Sequence, residues 1–368
     1  MTDERITYAD AGVDIHAGDK AVELMKAAVA RTHGPEVLGG VGAFAGLFDA
    51  SALLRYRRPL LASSTDGVGT KIVIARALGV HDTIGQDLVA MVVDDIVVCG
   101  AKPLLMTDYI ACGRVVPERI SDIVRGIAVG CEMAGVALVG GETAEHPGVM
   151  APEDYDIAGA AIGVVEADAV LGPEKVHSGD VVVALASSGL HSNGYSLVRR
   201  VVEHAGWELE REFPELGRAL GEELLEPTRI YARLCVDLAA NVPGLHALSH
   251  VTGGGLAANL ARVLPVGLAA SVARDAWELP PIFSLMQAAG SVPWSDLEST
   301  LNLGIGMVAV VAPGDANGVI AASKSAGVDA WVLGEVGADD GRAESPDVVR
   351  GAKGVNGGAV YLTGRYRA

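Results

Sequence analysis

Three segments of this chain hold residue types that handle phosphates and hard cations, each where a strand-like run meets a helix-like one. The first is Ser64-Thr65-Asp66-Gly67-Val68-Gly69-Thr70-Lys71. Its glycines can aim successive N–H groups at an anion, and the helix that follows adds positive potential. It is not a Walker A loop: Lys71 follows Thr70 and the first glycine of that pattern is missing. A tight structural turn is the competing reading. The second segment, SSGLHSNGY (187–195), adds an imidazole, His191, and an amide, Asn193, which together can orient a small ligand. A capping or loop-packing role for His191 is the alternative. The third, Thr252-Gly253-Gly254-Gly255, suits a phosphate approaching the backbone.

Carboxylates form a second set. The run 83–98 sets Asp87, Asp94 and Asp95 among Leu88, Val89, Met91, Val92, Val93, Ile96 and Val97. On a helix Asp87 and Asp94 share a face, while Asp95 is turned about 100° away from Asp94. Unpaired burial would be costly, so a cation or basic partner is expected; a solvent-facing stripe is the bland alternative. A short apolar strand, 136–139, runs into Gly140-Gly141-Glu142-Thr143-Ala144-Glu145-His146-Pro147-Gly148, which would expose Glu142 at a strand end. Asp66, Asp94 or Asp95, and Glu142 thus offer hard oxygen ligands from separate elements, a set suited to Mg²⁺ shared with phosphate oxygens rather than to Zn²⁺. Any one of them could be a salt-bridge partner only. GGVGAFAG holds Gly40-x-Gly42-x-x-Ala45, but no strand precedes it and Pro35 lies just upstream, so a flexible loop or lid fits better than a dinucleotide fingerprint. No G-x-S-x-G elbow is present to support a serine hydrolase.

Positioning these groups takes alternating strands and helices. Apolar spacing predicts helices over 18–33 (capped by Asp19), 71–78, 83–98 and 117–134, and strands over 60–65, 104–110, 136–139 and 156–165. The pattern loosens over 166–180, the best domain boundary, and then resumes with a strand at 181–186, a helix from Tyr195, a strand at 247–251 and a helix from Leu256. The expected organisation is an α/β (α+β) chain with an N-terminal domain over 1–170, a C-terminal domain over 171–336 and a glycine-rich tail over 337–368, loose or an edge strand. At 368 residues, 50% hydrophobic and 20% charged, the composition excludes a disordered chain. A net charge of −18 argues against nucleic acid or an anionic membrane as partner, and magnesium bridging carboxylates to phosphates would reconcile that charge with binding ATP. The four cysteines show no C-x-x-C pair, as expected of thiols in a reducing compartment. No basic-then-apolar leader is visible, and the longest stretch without Asp, Glu, Lys or Arg, 238–261, is broken by Asn, Pro, His and three glycines, so the reading is a soluble cytoplasmic protein.

Taken in order, YADAGVDIHAG (from Tyr8), GGVGAFAGLF, TDGVGTK, IGQDLVAMVVDD, GGETAEHPG, HSNGYSLVR, EPTRIY, VTGGG and NLGIGM resemble the phosphoribosylformylglycinamidine cyclo-ligase (aminoimidazole ribonucleotide synthetase) family. The resemblance covers most of the chain up to about Val336. It implies closure of the purine imidazole ring from formylglycinamidine ribonucleotide and ATP, with Mg²⁺ and, in many members, K⁺. It also implies a homodimer whose N-terminal strands combine into a β-barrel, a C-terminal α/β sandwich, and an active-site cleft between the domains. Carried onto this sequence, it makes Asp66, Asp95 and Glu142 organisers of magnesium and phosphate, and puts Lys71, Thr70 and the Gly67 and Gly69 amides on ATP phosphates. Lys26 would join the nucleotide site, His191 and Asn193 would orient the substrate or move a proton, and Gly253, Gly254 and Gly255 would receive a phosphate.

Two departures stand out: Asp94-Asp95 where the family commonly has Asn-Asp, leaving open whether Asp94 is a ligand, and Leu301 where it commonly has Phe. Related families share the ATP scaffold. Selenophosphate synthetase is disfavoured because no Cys precedes Cys99, the formylglycinamide ribonucleotide amidotransferase is much longer, and thiamine-monophosphate kinase lacks the HSNGYSLVR and GGETAEHPG combination. A non-catalytic nucleotide-binding module would keep the loops without needing His191.

Overall fold

The computed structural model describes Tyr8 and residues 11–40, 42–352 and 354–367. The first seven residues, read above for a leader, and Ala9, Asp10 and Val41 of the quoted motifs lie outside the described residues. The N-terminal unit runs α1 (Ile15–Arg31), β1 (Val37–Leu38), β2 (Leu47–Phe48), β3 (Pro59–Gly67), α2 (Ile72–Leu78), α3 (Ile84–Val97), β4 (Lys102–Cys112), α4 (Pro117–Ala134), β5 (Ala137–Glu145) and β6 (Tyr155–Glu166). Four of these strands form a sheet in the order β3-β6-β4-β5, parallel between β4 and β5 and antiparallel elsewhere.

Helix α3 lies on β3 and β6 and is buried along almost its whole length, with α4 packed on α3 and α1 on α4. The α3–α4 crossing depends on missing side chains: a Cβ on Gly85 would stand 2.2 Å from the Ile127 nitrogen, and one on Gly126 would stand 2.3 Å from the Asp82 oxygen. Pro117 at the first turn and left-handed Gly135 after the last delimit α4 where its sequence predicts. Two expectations need correction. Helix α1 is capped by Asp14, whose Oδ1 accepts from the His16 and Ala17 N–H groups, and so starts before Asp19. Strand β5 does not end before Gly140 but continues through GGETAE to Glu145, because its parallel partner β4 extends equally far.

The C-terminal unit runs β7 (Val181–Ala186), α5 (Tyr195–His204), β8 (Glu212–Phe213), β9 (Arg218–Ala219), α6 (Leu220–Leu225), α7 (Ala232–Asn241), β10 (Leu245–His250), α8 (Gly255–Arg262), β11 (Leu268–Ala273), α9 (Pro281–Gly290), α10 (Trp294–Glu298), β12 (Ile305–Val311), α11 (Ala316–Ser325), β13 (Ala330–Ala338), β14 (Val348–Ala352) and β15 (Val355–Thr363). Seven strands form one sheet, β10-β12-β7-β13-β11-β15-β14, antiparallel except between β11 and β15. Its strand β12 is buried at every position, as its unbroken apolar run requires.

Residues 337–368 are not a separate loose tail. Strand β15 pairs with β11 and β14 forms the sheet edge, with Val360 and Leu362 in the core. The strand signal is diluted by Gly357 and Gly358, which are glycines because Cβ atoms there would meet the Ala261 and Leu268 carbonyl oxygens at 2.2 and 2.5 Å. One contiguous cluster of buried side chains runs through both units. Among the described residues no helix is long and apolar enough to cross a membrane.

Candidate active site

The two units meet along α3, which carries three carboxylates into three environments. Asp87 is fully buried, and its Oδ1 accepts from Lys71 Nζ at 2.8 Å, the Thr228 N–H at 2.8 Å, Thr228 Oγ1 at 2.6 Å and Ser192 Oγ at 3.2 Å. Lys71 is equally buried and also donates to the Glu226 carbonyl at 2.6 Å. Burial pulls the Lys71 ammonium below its ordinary pKa, and the adjacent Asp87 carboxylate opposes that pull. Lys71 was expected on ATP phosphates; the structure corrects this, because its amine is spent on an internal bridge between the units. The motif EPTRIY supplies Glu226 and Thr228 to this bridge, which gives it a structural purpose its sequence does not announce.

Asp94 is fully buried as well, and both its oxygens accept from the Tyr231 N–H at 3.1 Å. Burial raises its pKa to about 7, against the opposing charge of His250. An acid so easily kept neutral fills a place suited to the neutral amide that the resemblance leads one to expect, and it faces protein rather than an open site. Leu301 is likewise buried, with its Cδ2 2.4 Å from where a Cβ on Gly194 would stand, a packing contact.

Asp95, one residue on, is turned outward with 42% of its side chain exposed, and its Oδ1 lies 2.9 Å from His250 Nδ1. Burial lowers the His250 pKa, but the hydrogen bond to Asp95 and the charges of Asp94, Asp95 and Asp66 outweigh it and leave the imidazole raised. Asp66, at the end of β3, is therefore close enough for its charge to act on the same ring. His250 is a candidate that the sequence marks only by its place directly before VTGGG.

A cleft of about 560 Å³ opens beside this group, lined by Asp66, Gly67, Gly69, Thr70, Asp156 and Asn193 together with their loop neighbours. Thr70 Oγ1 and Ser196 Oγ, 3.2 Å apart, join its two walls across the unit boundary. The Gly67 N–H donates to Asp66 Oδ1 at 2.7 Å, so that amide is turned onto its own loop rather than held out for an anion. Asn193 also meets the third loop: its Oδ1 lies 3.2 Å from where a Cβ on Gly253 would stand. Gly254 and Gly255 have positive φ (105° and 70°) at the start of α8, and a Cβ on Gly255 would strike the Glu298 carbonyl at 1.6 Å.

His191 does not face this cleft. It is 2% exposed at a left-handed φ of 64°, its Nε2 accepts from the Ser188 N–H at 3.1 Å, and its ring lies near Tyr231. Burial, then the positive charges of His250, Lys71 and Arg229, hold its pKa well below the ordinary value, so the ring is neutral and packs the loop that presents Asn193. That is the loop-packing alternative, and it corrects the expectation of a substrate-facing proton carrier.

Two more expected residues lie elsewhere. Lys26 is exposed on α1 and pairs with Glu23 at 2.7 Å. Glu142 pairs across the sheet with Tyr109, then Ala158, then Gly67, whereas Asp66 aligns with Gly159, Asp108 and Gly141. Glu142 thus points to the sheet face opposite Asp66, and three strand spacings put it about 14 Å away within one chain. A single ion held by both is excluded within the chain, and the cause is the continuation of β5 at the far sheet edge. Glu142 lines a separate cavity of about 280 Å³ with Val22, Met25, Gly42 and Asp108. Asp108, which the sequence reading passed over, is crowded by β5: a Cβ on Gly141 would fall 1.6 Å from its Oδ1. Desolvation raises its pKa to about 7.

Residues 48–165 match the model of the AIR synthase related protein N-terminal domain, and residues 177–344 match that of the C-terminal domain. Phosphoribosylformylglycinamidine cyclo-ligases from Desulfitobacterium hafniense and Anaeromyxobacter sp. are each 50% identical to this chain, over 330 and 346 residues, or 90% and 94% of it and 96% and 99% of their own lengths. The chain belongs to the phosphoribosylformylglycinamidine cyclo-ligase family. Among solved structures, thiamine-monophosphate kinase from Stenotrophomonas maltophilia aligns with a TM-score of 0.67 at 18% identity, over 95% of this chain and 97% of that one. The hydrogenase maturation protein HypE in complex with ATP aligns with a TM-score of 0.60 at 16% identity, over 90% and 89%. These two establish the shared fold, while the cyclo-ligase relatives place this chain within it.

Proposed function

We infer that this chain is an ATP-dependent cyclo-ligase that closes the imidazole ring of formylglycinamidine ribonucleotide, giving 5-aminoimidazole ribonucleotide, ADP and phosphate in purine biosynthesis. The observation that carries the reading is the interdomain cleft where the Asp66–Thr70 loop meets Asn193, with Asp95 and His250 beside it. A formamide oxygen is a poor leaving group, so ATP phosphorylates it, and the substrate's own amidine nitrogen then attacks the same carbon as phosphate departs. The closure is intramolecular, so the protein's task is to hold the two ends together and to stabilise charge.

The Gly69–Thr70 turn, on the cleft wall, offers backbone N–H groups and a hydroxyl to phosphates, and the Thr252–Gly254 segment, which meets Asn193, offers further N–H groups. The Asn193 amide, whose Nδ2 lies 3.6 Å from Met91 Sδ, orients the substrate. Asp66, on the cleft wall, and the exposed Asp95, whose charges both act on His250, supply hard oxygens, the donor type that fits Mg²⁺. Magnesium bound there would neutralise phosphate charge, and His250 holds Asp95 in place. The test is turnover by the whole chain: ADP release should require formylglycinamidine ribonucleotide and match the aminoimidazole formed. ATP hydrolysis indifferent to that substrate would refute the reading.

The same reading makes the chain a homodimer. Both outer edges of the four-stranded sheet, β3 and β5, lack a partner strand among the described residues, and Leu61 and Tyr109 on its open face are 63% and 40% exposed. Two copies closing these edges into a barrel would cover that surface. Sedimentation should therefore give twice the 37.7 kDa chain mass.

A further inference from the structure

Among the described residues, one group of side chains outside the cleft has the make-up of a transition-metal site. His177 and Asp180 lie in the connection between the two units, and His246 lies on β10. The nearest donor atoms of the three all fall within 4.8 Å of one another. Asp180 is 3% exposed, and its Oδ2 sits 2.7 Å from His246 Nδ1 while accepting from the His177 N–H at 2.8 Å. The two imidazoles meet edge to face, 5.3 Å between centroids.

The backbone fixes this arrangement at each point. His246 is the extra residue of a bulge in β10, where pairing with β12 skips from Leu245 to Ala247, and such a bulge re-aims a side chain. Its carbonyl accepts from the Gly172 N–H at 3.0 Å, while Gly179 and Asp180 exchange main-chain bonds with Val336 at 2.7 and 2.8 Å. The connection is thereby stitched to both neighbouring strands, leaving only the exposed His177 ring with room to swing.

We propose that His177, Asp180 and His246 form a binding site for a borderline divalent metal of the Zn²⁺ class, which pins the connection between the units to the C-terminal sheet. Two imidazole nitrogens and one carboxylate oxygen match that class rather than Mg²⁺, and the exposed side leaves a fourth position for water. Closing from the present spread to ligand distances of about 2.0–2.2 Å requires the proton between His246 and Asp180 to leave and the His177 side chain to move inward. The site is separate from the cleft and independent of the catalytic reading.

The test uses the full-length chain and Co²⁺ as a spectroscopic stand-in for Zn²⁺, beside equilibrium dialysis with Zn²⁺ itself. Expected are one equivalent bound per chain, a tetrahedral Co²⁺ spectrum without a thiolate charge-transfer band, and a melting temperature that rises with Zn²⁺. His177→Ala, at an exposed position, should fold as the unsubstituted chain does without metal, bind at least tenfold more weakly and lose the thermal response. Binding unchanged in His177→Ala, a thiolate band, or less than half an equivalent bound by the unsubstituted chain would each overturn the proposal.

Discussion

Helix α3 carries two acid–base pairs that look alike in sequence and differ in everything else. At its start Asp87 and Lys71 are sealed from water, with four hydrogen bonds converging on one carboxylate oxygen from both units. Two turns later Asp95 is 42% exposed, while its partner His250 is buried behind it. The first pair is closed to any ligand, whereas Asp95 of the second is open to one, so burial rather than residue type decides which acid a ligand could meet. Breaking a sealed pair strands a charge in the interior, whereas an open pair can exchange its partner for a cation or water.

The comparison is broken most directly at Lys71. Lys71→Met should destabilise the chain by about 3–5 kcal/mol by leaving Asp87 buried and uncompensated, read as a lower urea midpoint. A loss under about 1 kcal/mol would show that the bridge does not hold the units together. Asp108 sharpens the contrast through pH. Its folded pKa of about 7 lies above its ordinary 3.8, so between those values the folded chain keeps a proton that the unfolded chain releases. Stability should therefore fall as pH rises through this window, by up to about 1.4 kcal/mol per unit for each such acid, and Asp108→Asn should remove one share of that slope from unfolding curves taken at a series of pH values, leaving the share of Asp94, which burial also raises to about 7. Asp95→Asn should have the smallest effect on stability, under about 1 kcal/mol by the same urea measurement, because the Asp95 side chain is exposed and the asparagine oxygen can still accept from the buried His250.

Much of the scaffold was legible in the sequence because its elements announce themselves locally. Pro117 and Gly135 bracket α4, the apolar run of α3 predicts its burial, and the loosened stretch at 166–180 falls between β6 and β7. What misled was information held by partners distant in sequence. Lys71 reads as a phosphate ligand because nothing nearby reveals that Asp87 and the Glu226 carbonyl take its ammonium, or that Thr228 holds Asp87 in turn. Glu142 reads as a strand-end acid because the length of β5 is set by β4, and the strands of 337–368 were hidden by glycines that close packing demands. Loop chemistry in the sequence points to Asp66 and Asn193, which the fold brings to one cleft, while His250 beside Asp95 and Asp108 in the separate cavity of Glu142 needed the fold to give them neighbours.

We propose that Asp66, on the cleft wall, and the exposed Asp95 organise magnesium and phosphate, and that neither the sealed bridge nor the far sheet edge does so. Titrating Mg²⁺ against substrate-dependent ADP release in Asp66→Asn, Asp95→Asn and Glu142→Gln tests it directly. The account predicts at least a tenfold rise in the magnesium needed for half-maximal turnover in the first two variants and less than a twofold change in the third. An unchanged requirement in both aspartate variants, with a large shift in Glu142→Gln, would contradict it.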